Sequence, residues 1–352
     1  MRLQLWLLYS SLTCNCADRC ITLKFQPRKG SKSSWYGRSA SRLKVAITVR
    51  HAHAMRFNMT TGGTMPAVGI GYRAAIDGWT RENLHRFDAL EITVDHCLAG
   101  SRTLRAAIFD LVGRIPLTAH GVGLSLGTDA PLDLAYLDEV AEVVERLRAP
   151  AYSEHLAFTR VPGRETAALL PLPKTEEVAD SIIAKVRTVQ SRVPFPFLLE
   201  NITYVFEWPD SKMSDAEFLN RICRETGAGL LLDVENVYLN ATNHGFDPHA
   251  FIDALDPGLV REVHMAGGVT IRDESLAKPL LADSHSHPVP DAALDLLEYT
   301  LARQAPSVII LERDDRLEAG DEILDDIARI RACVAAAQSR NTHGEALVGA
   351  AG

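Results

Sequence analysis

Short apolar segments alternate with longer amphipathic segments from Met65 almost to the end of this 352-residue chain. Near-continuous apolar runs such as Leu230-Leu231-Leu232 are typical of parallel strands that helices cover on both faces. Eight such alternations over the 288 residues from 65 to 352 predict an α/β fold, a (β/α)8 TIM barrel. The predicted strands are 68–71, 89–94, 117–126, 151–158, 197–202, 229–234, 260–266 and 308–312.

The amphipathic segments are predicted to be the helices of this barrel. Apolar residues recur in them at helical spacing, as at Leu137, Val140 and Val144. Thr175 and Ser214 are typical N-cap residues, because acidic residues follow each of them in the first turn. The predicted helices are 101–114, 133–148, 174–192, 214–226, 247–256, 290–303 and 320–337.

A doubly wound open sheet is the rival architecture for alternating strands and helices. Such sheets often bind dinucleotides through a G-x-G-x-x-G motif after the first strand, and this chain has none there. The Gly121-Val122-Gly123 segment lacks the third glycine at the required spacing. The sequence therefore favours the closed barrel and gives no dinucleotide site.

The first 64 residues differ in charge from the rest of the chain. They hold 11 lysines and arginines against one acidic residue, Asp18, whereas residues 65–352 hold 26 basic and 44 acidic residues. Three interpretations of this basic extension remain open: a targeting segment, a disordered tail, or a dispensable extension before a true start at Met55, Met59 or Met65. The catalytic barrel is predicted over 65–340, and a flexible tail over 341–352.

The overall composition excludes several classes of function. The formal net charge of −8, and −18 for residues 65–352, disfavours nucleic-acid binding, which normally needs a basic surface. No apolar run is long enough for a membrane-spanning helix. Cys97, Cys223 and Cys333 are far apart and form no C-x-x-C pair, which is typical of reduced thiols in a cytoplasmic protein.

Side chains that can bind metals occur at the ends of most predicted strands. The carboxyl ends of parallel barrel strands meet at one face, so these side chains are expected to lie close together. So many carboxylates would repel one another unless cations were bound between them. Mixed histidine and carboxylate donors suit iron, manganese or zinc, and their number implies two or three ions. The segments are Asp95-His96, His120, Ser153-Glu154-His155, Glu200-Asn201, Asp233 to Asn236, His264, Asp283 to His285, and Glu312.

Each of these segments alone has an ordinary structural explanation. Asp233 and Asn236 could be loop caps, and Glu200-Asn201 could be a hydrogen-bonded pair at the barrel rim. The convergence of seven strand ends favours the metal site. Neighbouring side chains on a strand point to opposite faces, so we expect Glu154 to point into the site and His155 to point away.

Seven segments of the chain resemble segments of the multinuclear non-haem iron-dependent oxidative enzymes and occur in the same order as in that family. The family includes the methanobactin-maturing enzyme. The match spans about residues 66–335 and leaves the basic extension outside. The segments are HGVGLSLG (120–127), SEHL (153–156), LLPLP (169–173), LLENIT (198–203), LLLDVENVYLNATNHGFDP (230–248), VHMAGG (263–268) and DSHSHPVP (283–290).

This resemblance implies a xylose-isomerase-like TIM barrel that holds two or three iron ions. It further implies that dioxygen is used to modify a ribosomally synthesised precursor peptide, usually at cysteine. A small partner protein that binds the leader of the peptide is also implied, whereas nucleic acid and membrane are not.

The resemblance also assigns roles to individual residues. Glu154, Asp233 and His285 are expected to take part in catalysis. Two differences from the family pattern, Glu235 in LDVEN and the glutamate of SEHL, leave the particular reaction open. The implied metal ligands are His96, His120, Glu154, Asn201, Asp233, Asn236, His264, Asp283, His285 and Glu312.

Two alternatives from other classes are compatible with the same strand-end pattern. The first is a metal-dependent hydrolase or isomerase on the same barrel, similar to endonuclease IV or to the sugar isomerases. The second is a barrel that binds metal without catalysing a reaction. The identity of the bound metal would distinguish a hydrolase or isomerase from an iron oxidase. A response of bound iron to oxygen would distinguish the oxidase from a barrel that only binds metal.

Overall fold

The described part of the chain is built around a closed barrel of eight parallel strands, as the sequence predicts. The computed structural model describes residues 65–161, 164–274 and 278–349, with side chains as far as Arg340. The basic extension predicted over 1–64 lies outside the described residues. The barrel order is β1-β12-β9-β8-β7-β4-β3-β2. The strands are β1 Ala67–Gly71, β2 Leu90–Thr93, β3 Leu117–Gly121, β4 Tyr152–His155, β5 Phe158–Val161, β6 Arg164–Leu170, β7 Phe197–Glu200, β8 Gly229–Asp233, β9 Val260–Met265, β10 Val269–Ile271, β11 Leu280–Ala282 and β12 Val308–Leu311.

Helices surround the barrel, and side-chain caps start several of them. Thr175 accepts a hydrogen bond from the backbone N–H of Val178, and Ser214 forms a reciprocal capping box with Glu217, so both predicted helix starts are confirmed. The helices are α1 Asp77–Glu82, α2 Val94–Ala99, α3 Arg102–Asp110, α4 Leu134–Leu147, α5 Glu176–Arg192, α6 Asp215–Thr226, α7 Val234–His244, α8 Pro248–Ala254, α9 Asp291–Leu301 and α10 Gly320–Gly349.

The core has an outer and an inner part. The large outer part packs the outward-facing strand residues, such as Leu199 and Leu232, against the helices. Inside the barrel, Leu198 and Leu231 belong to a small apolar cluster, which lies toward the amino-terminal ends of the strands. Because side chains alternate along each strand, the inward positions further along these two strands are Glu200 and Asp233. The interior therefore changes from apolar to polar toward the carboxyl ends of the strands.

The structure contains elements that the sequence patterns did not predict. Two short hairpins, β5–β6 and β10–β11, extend the loops after β4 and β9, and α2 and α7 begin directly where β2 and β8 end. Helix α10 extends to Gly349 and so includes most of the segment predicted as the tail over 341–352. Among the described residues, no helix is both long and apolar enough to cross a bilayer.

Candidate metal centre

Two imidazoles and one carboxylate lie together at one side of the barrel mouth, the opening at the carboxyl ends of the strands. The Nε2 atoms of His120 and His155 lie 3.4 Å and 3.2 Å from the same oxygen of Glu200, Oε2. His155 and Glu200 are register partners at the ends of β4 and β7, so both side chains point to the same face. These three residues form the first group, which can hold one ion.

The other oxygen of Glu200 faces a second group of donors. Its Oε1 lies 3.2 Å from Nδ1 of His264, and Oε2 of Glu312 lies 3.0 Å from the same nitrogen. Asp233, the register partner of His264 across β8 and β9, completes the second group. The Glu200 carboxylate therefore bridges the two groups.

A third set of donors lies where the loop after β11 reaches the mouth. Nε2 of His285 is 2.7 Å from Oδ1 of Asp283 and 3.9 Å from Oε2 of Glu312, and its Nδ1 is 2.8 Å from Oδ2 of Asp314. His285 has a φ of 47°, a left-handed conformation that is strained for a residue with a side chain. The surrounding acids hold this imidazole in place against that strain.

Burial and neighbouring charges shift the pKa values of the donors in opposite directions. Burial would raise the pKa of Glu200, but the imidazoles of His155, His120 and His264 lower it to about 2. Burial and the charges of Asp283 and Glu200 raise the pKa of Asp233 well above its usual value. Asp233 is therefore a buried acid beside other carboxylates, and a cation bound next to it would favour its ionised form.

Several donor atoms are buried without hydrogen bonds, and this is the feature that best fits an ion. Within the part of the chain that the structure describes, Oε2 of Glu200, Nδ1 of His264 and Oδ1 of Asn236 have no hydrogen-bond partner. Unpaired buried polar atoms are rare in native structures and need a partner such as an ion. The imidazoles and carboxylates of the first two groups provide the donor set that iron, manganese or zinc prefer.

The predicted site residues differ in where they lie. His120, Asp233, His264, Asp283, His285 and Glu312 converge at the mouth. His96 is exposed on α2 and belongs to neither of the first two groups, although Arg73 and Asp314, beside the third set of donors, are among its charged neighbours: partial burial and the charge of Arg73 lower its pKa. Asn201 uses its side chain to bridge strand ends, because its amide nitrogen donates to the backbone oxygen of Asp233 and its oxygen accepts from the Asp233 N–H. Asn236 donates to the backbone oxygen of Asn201, which leaves its own oxygen available.

Glu154 points away from the converging donors. Its Oε1 accepts hydrogen bonds from the N–H of Leu124 and from the hydroxyl of Tyr152, at 2.9 Å and 3.0 Å. Burial and the charge of Asp95 raise its pKa to about 8. A Cβ at position 121 would collide with the Tyr152 hydroxyl, which explains the glycine after His120. Glu154 thus supports the loop that follows β3.

His155 and Glu200 belong to the cluster but were not among the predicted ligands. Alternation along the strand predicts that Glu154 points inward, whereas in β4 the side chains of Ser153 and His155 point inward. The pairing of β4 with β3 shows which side chains of β4 point inward. Ser153 is the register partner of His120, so residues of the same parity on β4 face the same way as His120.

Comparison with known proteins places the chain in a family. The sequence model described as RiPP precursor modification enzyme MbnB/TglH/ChrH matches residues 67–335, where RiPP denotes a ribosomally synthesised and post-translationally modified peptide. A UPF0276 protein of Bordetella parapertussis is 35% identical over 272 residues, covering 77% of this chain and 94% of the relative. A UPF0276 protein of Caulobacter vibrioides is 33% identical over 246 residues, with 69% and 86% covered.

Solved structures support the architecture alone. A xylose isomerase domain-containing protein of Salmonella typhimurium is similar with a TM-score of 0.52 and 14% sequence identity, covering 78% of this chain and 99% of that one. An L-ribulose 3-epimerase is similar with a TM-score of 0.50 and 14% identity, covering 81% and 98%. The fold is therefore a xylose-isomerase-like TIM barrel.

Proposed function

Because the chain belongs to the MbnB/TglH/ChrH family of RiPP precursor modification enzymes, we propose that it is an iron-dependent enzyme that uses dioxygen to modify a cysteine of a precursor peptide. The convergence of His120, His155, Glu200, Asp233, His264 and Glu312 at one barrel mouth supports this proposal.

The donor types favour iron over a soft thiolate-bound metal. The three cysteines among the described residues are all buried as free thiols and do not belong to the donor groups, so the centre is built from nitrogen and oxygen alone. Such sites suit iron, manganese and zinc. The free thiols also agree with a cytoplasmic location.

The three sets of donors would hold two or three ions. His120, His155 and Glu200 would hold the first, and Glu200 would share the second with Asp233, His264 and Glu312. Asp283 and His285 would contribute to a third, since Oδ1 of the first and Nε2 of the second make no hydrogen bond among the described residues, and the unpaired oxygen of Asn236 would be a further donor. Iron bound there would supply the redox chemistry for which cysteine is the reductant and dioxygen is the oxidant.

Residues behind the donors orient them for this role. The hydroxyl of Ser153 lies 2.9 Å from Nδ1 of His120, which turns the Nε2 of that ring toward Glu200. Asp314 holds Nδ1 of His285 in the same way, and Arg73 donates a hydrogen bond to Asp314 and lies 3.6 Å from Glu312. Partners of this kind fix ring orientation and tautomer in metal sites.

A peptide substrate would approach from the strand-end face. The hairpins β5–β6 and β10–β11 stand on loops of this face and provide walls around the mouth. A small partner protein that binds the leader belongs to the same proposal, since the −18 charge of residues 65–352 would suit a basic leader or partner surface.

The test is reconstitution with a candidate peptide. The protein would be loaded with ferrous iron without oxygen, then mixed with dioxygen and a cysteine-containing peptide encoded beside its gene. A change in peptide mass that requires both iron and oxygen is expected, and it should be lost when serine replaces the cysteine. An unchanged mass from fully iron-loaded protein would argue against this chemistry for that peptide.

A further inference from the structure

A layer of buried polar side chains lies inside the barrel directly beneath the metal-binding mouth. Glu91 on β2 and Glu262 on β9 are each 2% exposed, and Thr118 on β3 is 3% exposed. All three occupy inward positions one step below the mouth, because Glu262 is two residues before His264 and Thr118 is two residues before His120. Carboxylates are costly to bury so deeply without a partner.

Glu91 has such a partner in the ring of His264. Its Oε2 lies 3.0 Å from Nε2 of His264, a residue with no exposed surface. The opposite nitrogen of the same ring, Nδ1, faces Oε1 of Glu200 and Oε2 of Glu312. The ring therefore stands between one carboxylate below and two carboxylates above, and each nitrogen faces one side.

The two sides of the ring differ in how their atoms are paired. The contact below the ring has hydrogen-bond geometry, so Nε2 donates to Glu91. Above the ring, Nδ1 has no hydrogen-bond partner within the described residues. Glu262 lies close to both Glu91 and His264, but the hydrogen bond of Nε2 goes to Glu91, and Oε1 of Glu262 makes no hydrogen bond among the described atoms.

We propose that Glu91 is a positioning residue, which holds the proton of His264 on Nε2 and so turns the lone pair of Nδ1 toward an ion shared with Glu200 and Glu312. A neutral imidazole binds a metal through one nitrogen while the other carries the proton, and a carboxylate that accepts this proton fixes the tautomer and the ring orientation. This inference rests on the metal-binding part of the proposed function.

The pairing of β2 with its two neighbouring strands fixes the position of Glu91 inside the barrel. Glu91 lies in the middle of the second strand, opposite Thr118 on β3 and Gly71 on β1. The strand-end pattern of the sequence points instead to Asp95 and His96, which follow this strand. An acid in the middle of a buried strand is itself a signal, because a buried charge needs a specific partner.

The test compares three variants by a proton signal and by metal affinity. Glu91→Ala removes the acceptor, Glu91→Gln keeps an uncharged acceptor of nearly the same size, and Glu262→Gln is the matched control in the same layer. The first measurement is the Nε2 proton resonance of His264 in protein labelled with ¹⁵N-histidine. The second is the dissociation constant for zinc, a diamagnetic probe of the same donors.

In wild-type protein the Nε2 proton should resonate downfield and exchange slowly with water. Glu91→Ala should abolish this protected signal and weaken zinc binding by about 10- to 100-fold, the usual effect of removing such a partner. Glu91→Gln should keep the signal, shifted upfield, with a smaller loss of affinity. Glu262→Gln should keep the signal unchanged.

Two results would overturn the proposal. One is a Glu91→Gln or Glu91→Ala variant that folds and keeps both the wild-type proton signal and the wild-type zinc affinity. The other is loss of the signal in Glu262→Gln to the same extent as in Glu91→Ala. If wild-type protein binds neither zinc nor iron, the metal-binding proposal fails, whereas the proton signal of metal-free protein still tests the hydrogen bond.

Discussion

The hydroxyl of Ser153 lies 2.9 Å from Nδ1 of His120, on the side of the ring opposite to Glu200. The same hydroxyl reaches the backbone oxygen of Ala119, so it ties the ring to the strand that carries it. One side chain thereby sets which nitrogen of His120 faces the first group of donors.

Ser153→Ala should weaken metal binding without unfolding the protein. The substitution removes the partner of Nδ1 but leaves His120, His155 and Glu200 in place. We expect zinc or ferrous iron to bind about 10-fold more weakly. Titration against a chelator of known affinity measures this change, with the exposed Ser191→Ala as control. Equal affinities in both variants would show that Ser153 does not orient the ring.

Glu200→Ala should remove more metal than His155→Ala. Glu200 offers one oxygen to each of the first two groups, whereas His155 belongs to the first group alone. We expect the histidine variant to lose about one equivalent of iron and the glutamate variant about two, because a metal site fails when its ligand count falls. Elemental analysis of anaerobically loaded protein gives these values, and equal losses would contradict the bridging role.

Glu154→Gln should retain its iron, in contrast to His155→Ala. Glu154 accepts hydrogen bonds from Leu124 and Tyr152 and lies outside the donor groups. The glutamine oxygen can keep the two bonds of Oε1, but its NH2 group replaces Oε2, which accepts from the N–H of His155 at 3.2 Å, so a loss of about 1–3 kcal/mol in unfolding free energy is expected. Denaturant unfolding and iron analysis of the same samples separate the two effects. Loss of iron from folded Glu154→Gln would restore Glu154 to the ligands.

Cys223 should make the protein less stable in alkaline solution. Burial raises the pKa of its thiol from 9.0 to about 12, so the folded state keeps a proton that the unfolded state loses above pH 9. The contribution of this thiol to the free energy of unfolding is complete below pH 9. It falls by about 1.4 kcal/mol per pH unit as the pH rises toward 12. Cys223→Ala should therefore lose less unfolding free energy than wild type between pH 8.5 and 10.5, and parallel pH profiles would contradict this.

The barrel could be predicted from the sequence because several of its strands contain apolar runs that alternate with amphipathic segments. Leu230-Leu231-Leu232, buried on both faces, is such a run. Hairpin β10–β11 could not be predicted in this way, since its strands of three residues each are only partly buried. Their pairing depends on contacts across the chain, which short patterns do not reveal.

The site could be predicted to the level of strand ends but not to the level of side-chain direction. His120, Asp233, His264 and Glu312 were identified because each stands at a strand end. The exchange of Glu154 for His155 required the register of β4 against its neighbours. A one-residue change of register turns every side chain to the other face, so single-strand patterns do not decide it.

Anomalous diffraction at the iron edge, from crystals grown after anaerobic loading, tests the metal centre itself. We expect one peak between His120, His155 and Glu200 and a second between Glu200, Asp233, His264 and Glu312. A third peak beside Asp283 and His285 agrees with the proposal, whereas fully loaded crystals without iron at either of the first two positions would contradict it.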